Sequence, residues 1–291
     1  MRQVSLVAAA SMAAISLSAC GATPRQRLDA AAHSLAASPY MQATIALRLK
    51  GAKVPASVTS DLGSFTLRVE DSSTNGATLS KAGISATNSE VDLLYKGKVI
   101  LAVRAIGGRT DYFKADLSSL TGVAGLSASA SQSLSAAQAL LGNRWFSVPA
   151  SALASSPGSL NAAQQKKASA FVTTVIAAIG SSSHVTAGSS GDQVVASGSL
   201  PSLLAAVKGP FETFSGHSAT LPNVSSGTWK VVIRAPAGKL STAVLAAEEG
   251  GNSMSLRATV THDKIQVKAP STSTPYSSSI FGGAGLSGQS G

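Results

Sequence analysis

Apolar and polar residues alternate over several stretches of this chain. A period of two marks a strand that hides one face and wets the other. In residues 42–50, Ala43, Ile45, Leu47 and Leu49 fall on one side, and Gln42, Thr44, Arg48 and Lys50 on the other. In residues 64–70, Phe65, Leu67 and Val69 oppose Ser64, Thr66, Arg68 and Glu70. Val91, Leu93 and Tyr95 alternate with Asp92 and Lys96, and after Lys96-Gly97 the pattern returns as Val99, Leu101 and Val103. Gly107-Gly108 precedes a further run at 110–114. Glycine-bearing turns between alternating runs are hairpin signals. These stretches predict an antiparallel meander with one apolar and one wet face.

Helical spacing appears between and before the strands. Leu28, Ala31, Ala32 and Leu35 share a face over 25–37, and Ser38-Pro39 ends that helix. Residues 116–142 are rich in Ser, Ala, Leu and Gly and read as short helices and loops, closed by the Trp145-Phe146-Ser147-Val148-Pro149 segment. A longer helix is expected over 160–179, with Asn161 and Gln164 at capping-box spacing and Gly180 at its end. Its stripe includes Lys167, Phe171 and Val175. Short strands are expected near 182–188 and 192–198, then a helix over 200–207 stopped by Gly209-Pro210. Strands resume at Trp229, Val231 and Ile233, at 240–247 and at 253–261, with a last one at Ile265 and Val267. From Pro270 the residues are Ser, Thr, Gly and Pro, a composition that does not build a core.

The first twenty residues have a different logic. Arg2 is followed by an uncharged apolar run over 4–17, shorter than the roughly 20 residues a spanning helix needs. A positive start, a short apolar core and small residues near a cut describe a secretory leader. Leu17-Ser18-Ala19-Cys20-Gly21 resembles the lipobox of bacterial lipoproteins. The resemblance implies diacylglycerol on the Cys20 thiol, cleavage before Cys20 and acylation of the new amino group. It places the protein on the outer face of the cytoplasmic membrane, held by its lipid anchor. A plain secretory leader with an incidental cysteine is the alternative. Cys20 is the only cysteine, so no intramolecular disulfide forms. The expected organisation is a leader over 1–19, a lipidated tether over 20–27, one domain over 28–269 and a structureless tail over 270–291.

The formal charge is +10, spread along the chain with one adjacent pair, Lys166-Lys167. The plain reading is a soluble basic surface. The functional one is attraction to anionic headgroups or an anionic cell-wall polymer. With 4% aromatic residues and no basic run, nucleic acid is not an expected partner.

Catalytic signatures fail their context tests. The Gly283-Ala284-Gly285-Leu286-Ser287-Gly288 match to G-x-G-x-x-G lies in the tail, with no strand before it. Gly216-His217-Ser218-Ala219-Thr220 lacks the closing glycine of a nucleophile elbow. His33, His184, His217 and His262 have no partner at ligand spacing, so no metal is expected. Glu248-Glu249 sits in a hairpin turn, where solvation is the simpler role. The expectation is a protein that is not an enzyme and uses no cofactor.

Taken together, these features are similar to actinobacterial lipoproteins of the LppX/LprG type, relatives in fold of the LolA carriers. The likeness rests on the lipobox at Cys20 and the early helix feeding long alternating strands. It rests also on the strand, glycine turn and Tyr112-Phe113-Lys114-Ala115-Asp116 stretch, on Trp145 with Val148-Pro149, and on the second group of strands. It covers roughly residues 25–268. It implies an α+β fold: a curved antiparallel half-barrel with helices packed on its concave face, enclosing an apolar cavity for acyl chains. The cavity residues expected from the strand faces and helix stripe are Ile45, Leu47, Leu67, Leu93, Leu101, Val103, Phe171 and Val175. The ligand would be a lipid, glycolipid or other apolar molecule. The competing expectation is a structural or interaction lipoprotein with a packed core.

Overall fold

The computed structural model describes residues 22–35, 37–51, 56–120, 127–149, 184–215 and 224–275. Helix α1 (Pro24–Ser34) leads into β1 (Tyr40–Lys50), and a short α2 (Ala56–Leu62) connects it to β2 (Phe65–Ser73). After α3 (Leu79–Ala82) come β3 (Thr87–Tyr95), β4 (Lys98–Ile106) and β5 (Thr110–Ala115). Then follow α4 (Ala128–Leu141), β6 (Phe146–Pro149), β7 (His184–Ala187), β8 (Gln193–Ser199) and α5 (Leu200–Ser215). The last strands are β9 (Thr228–Arg234), β10 (Thr242–Glu249), β11 (Asn252–Thr261) and β12 (Thr274–Pro275).

Among the described residues the strands form one twelve-stranded sheet in the order β12-β6-β5-β4-β3-β2-β1-β11-β10-β9-β8-β7. Every neighbouring pair is antiparallel except β12 with β6. The fold is therefore α+β, an open, curved, mostly antiparallel sheet with few helices. Two meanders, β2 to β6 and β7 to β11, meet at the β1–β11 seam, which runs in register from Gln42↔Thr261 to Lys50↔Ser253. The turns match the hairpins: Lys96 and Gly97 both take positive φ (49° and 77°), the geometry that suits the strands' right-handed twist.

Helix α1 starts on a capping box that the sequence reading overlooked. The Gln26 amide donates to Thr23 Oγ1 at 3.3 Å, the Thr23 amide donates back to Gln26 Oε1 at 2.9 Å, and Pro24 follows the cap. The helix stops at Ser34, and Ala32, expected on the covered face, is exposed. Ala31 is its buried contact, packed with Met41, Ala43, Val69, Leu79, Leu240 and Val260. Ser34 Oγ donates to the Ala31 carbonyl at 2.7 Å and accepts from the Leu240 amide at 2.8 Å, tying the helix to the entry of β10.

Three expectations change. The helix over 200–207 does not stop at Gly209-Pro210: α5 continues to Ser215. A proline removes one intrahelical bond, and the turns on either side here outlast that loss. Ile265 and Val267 form no strand. Residues 262–273 instead run as a strap over the polar face, carried by side chains in place of a ladder. The Val267 amide donates to Ser72 Oγ (3.3 Å), Asn88 Nδ2 donates to the Val267 carbonyl (2.9 Å), and Arg104 Nη1 donates to the Lys268 carbonyl (3.2 Å). Past Pro270, where no structure was expected, Thr274 and Pro275 pair with Phe146 and Ser147 as β12. The helix expected over 160–179, the leader, and the glycine-rich segment over 283–288 lie outside the described residues.

Candidate functional site

The register places six of the eight expected cavity residues on one face of the sheet. Ile45 pairs with Leu67, Leu67 with Leu93, and Leu93 with Leu101; Val103 pairs with Val91 on the same face. Leu47 continues it along β1 and pairs with Leu256. The patch extends through Phe113 on β5 and Met254 on β11, which the sequence reading left out. Phe113 stacks on Phe146 with ring centroids 5.1 Å apart. The remaining two, Phe171 and Val175, lie outside the described residues.

This face is packed in one region and open in another. Beneath α1, at the start of β1, Met41, Ala43, Val69 and Val260 are buried. Farther along the strands Ile45, Leu47, Leu67, Leu93, Leu101 and Val103 are all half-buried, and Val91 and Met254 are 38% and 40% exposed. A contiguous apolar patch left partly in water costs roughly 25 cal/mol per Å², a cost that an apolar ligand would remove.

A row that mixes apolar side chains with Asp71, Ser89 and Asp111 closes the patch at the α1 end. Met41, Asp71, Ser89, Ala105, Asp111 and Val148 are successive register partners across β1 to β6. Asp71 is 1% exposed; Ser89 Oγ donates to its Oδ1, while Oδ2 has no partner among the described residues. Burial pushes the Asp71 carboxyl above its usual range, and the Ser89 hydroxyl pulls the other way.

Over β2 to β4 the opposite face departs from the expected wet side, which holds on β1 and β11, where Thr44, Arg48, Arg257 and Thr259 are exposed. On β3 it is Val91 that is exposed, while Glu90 and Asp92 are buried. Charges pair across the strands there. Gln42 Nε2 donates to Glu70 Oε1 at 2.6 Å, Arg68 Nε donates to Asp92 Oδ2 at 3.1 Å, and Arg68 Nη2 also donates to that oxygen. Arg104 Nη2 sits 2.9 Å from Glu90 Oε1, with its guanidinium over the Trp145 ring. Burial works against the Arg68 charge, but Asp92, with Glu70 and Glu90, more than offsets it and raises the guanidinium's pKa. Burial raises the Glu90 carboxyl despite the bond from Arg104. A bulge at Leu93/Leu94 interrupts the β3–β4 register, and on β4 Ile100 and Ala102 are buried while Val99 is half-buried.

Cys20 and the lipobox residues Leu17, Ser18, Ala19 and Gly21 lie outside the described residues, as does Gly216-His217-Ser218-Ala219-Thr220. Among the described residues no helix is long and apolar enough to cross a membrane, and no group of three His, Cys, Asp or Glu could hold a metal ion.

No protein-family model matches the chain, and no curated protein does. Among solved structures, the chain is similar to a LolA superfamily protein of Nitrosomonas europaea, at 10% identity and a TM-score of 0.23, over 84% of this chain and 96% of that one.

Proposed function

We propose that this protein is an exported, lipid-anchored carrier that holds an apolar, acyl-bearing molecule against the open part of its sheet. The observation that supports it is the row Ile45–Leu67–Leu93–Leu101: large aliphatic side chains, in register across four strands, none of them buried. A packed structural module would bury such a row, as the region under α1 does. The ligand would bind by burial of apolar area, with no bond made or broken, so the protein would not be an enzyme. The lipobox at Leu17-Ser18-Ala19-Cys20-Gly21 supplies the anchor in this reading and sets the protein at the outer face of the cytoplasmic membrane. The LppX/LprG-like pattern of the sequence favours a lipid or glycolipid as cargo.

The test is native mass spectrometry of the full chain purified from cells under mild conditions. A carrier retains lipid of defined mass that organic extraction removes. Bare protein in every preparation, with no uptake of added fatty acid or phospholipid, would leave the packed structural reading in its place.

A further inference from the structure

The polar face of the sheet is divided electrostatically. Over β2 to β4 its cations are neutralised internally: Arg68 by Asp92 and Glu70, Arg104 by Glu90. Over β1 and β7 to β11 Arg234 is paired with Asp192, but Arg48, Lys230 and Arg257 are in no ion pair among the described residues. Arg48, Ser255, Ala246, Lys230, Ser197 and His184 are successive register partners on β1, β11, β10, β9, β8 and β7. They form one line perpendicular to the strands, about 24 Å long at the usual strand spacing. Arg257 stands one pleat from that line, diagonal to Arg48. Arg48, Arg257, Lys230 and His184 are exposed, and among the described residues none of the three cations is in an ion pair. Small side chains, Ser255, Ala246 and Ser197, keep the line low between the charges.

We infer that this row is a docking track for a linear, non-aromatic polyanion: a glycan-like polymer carrying carboxylate or phosphate groups. A line of cations and hydroxyls running across the strands matches an extended chain of repeating anions. The guanidinium and ammonium groups pair with the charges, and Ser255 and Ser197 offer hydroxyls to the oxygens beside them. The row carries no aromatic residue, so it has no platform for bases. It also has no large apolar or aromatic side chain to enter a bilayer. The inference is independent of the apolar ligand, which belongs to the other face.

The test titrates the full-length chain with polygalacturonate and, separately, with linear polyphosphate, at several salt concentrations. Single-stranded DNA and phosphatidylglycerol vesicles serve as comparisons. At least one of the two polymers should bind more tightly than either comparison, and the preferred one distinguishes carboxylate from phosphate. Arg48→Gln with Lys230→Gln should weaken binding severalfold. Each lost cation should lower the slope of log affinity on log salt by roughly one, as counterion release requires. Ala246→Glu, which puts an opposing charge at mid-row, should abolish binding, whereas Arg25→Gln on α1 should leave it intact. Unchanged thermal unfolding shows that the variants fold. No binding of either polymer, equal binding by the Arg48/Lys230 variant, or tighter binding to vesicles or DNA would overturn the track.

Discussion

Arg68 and Asp92 are register partners across the β2–β3 pair, with Nε 3.1 Å from Oδ2, and the carboxylate they share is 1% exposed. The second oxygen, Oδ1, has no partner among the described residues. The pair therefore holds a nearly dry charge that depends on one half-exposed guanidinium. Arg68→Ala should destabilise the protein by about 3 kcal/mol, because it strands the buried charge. Arg68→Ala with Asp92→Ala should cost less than the two single changes summed. Urea unfolding of the four proteins in a double-mutant cycle measures the coupling.

Asp71 sets a pH dependence of definite sign. Its carboxyl is raised in the folded protein by burial, so between the ordinary carboxylate range and that raised value the native state binds more protons than the unfolded one. Its contribution thus favours folding as pH falls through this window and opposes it above. Glu90, raised for the same reason, acts in the same direction. Asp71→Asn should be more stable than the parent at neutral pH. Its advantage should shrink as pH falls and vanish below the ordinary carboxylate range. Urea midpoints of the two proteins across pH check this; a constant difference would mean that Asp71 is not the titrating group.

The two regions of the apolar face should respond differently to truncation. Leu79→Ala, in the packed region, should cost about 2–5 kcal/mol. Leu93→Ala, half-buried in the open patch, should cost about 1 kcal/mol because water already reaches the site. Leu93→Ala together with Leu101→Ala should nonetheless reduce the lipid retained in native mass spectra. Comparable stability losses at Leu79 and Leu93 would argue for a closed interior.

Cys20→Ala should release the protein to the soluble exported fraction or leave its leader uncut. Fractionation of cells with an antibody to the chain reads this directly. A cleaved variant that still sediments with membranes would place the anchor elsewhere.

Much of the sheet was legible because β1, β2 and β11 alternate cleanly, and a one-residue slip would expose their whole apolar sets. Ile45, Leu47, Leu67, Leu93, Leu101 and Val103 could be assigned to one face on that basis alone. Alternation did not mark Ile100 and Ala102, on β4 beside Leu101, as buried. Nor did alternation reveal that Glu90 and Asp92 lie under cover, because burial there depends on Arg68 and Arg104 supplying charge from other strands. Ile265 and Val267 read as strand from their spacing, yet Ser72, Asn88 and Arg104 hold that segment by side chains. The helix through Gly209-Pro210 defied the strongest local stop signal.

The β1–β11 seam also governs how the chain can fold. It joins Gln42 to Thr261 and Ala43 to Val260 at the centre of the sheet, so the first strand made finds one of its neighbours only when almost the last is available. Hairpins such as β3–β4 close over two residues and form early, but they cannot finish the sheet. Such distant pairing makes assembly slow. Until then β1 keeps an unsatisfied edge, which among the described residues β11 alone pairs.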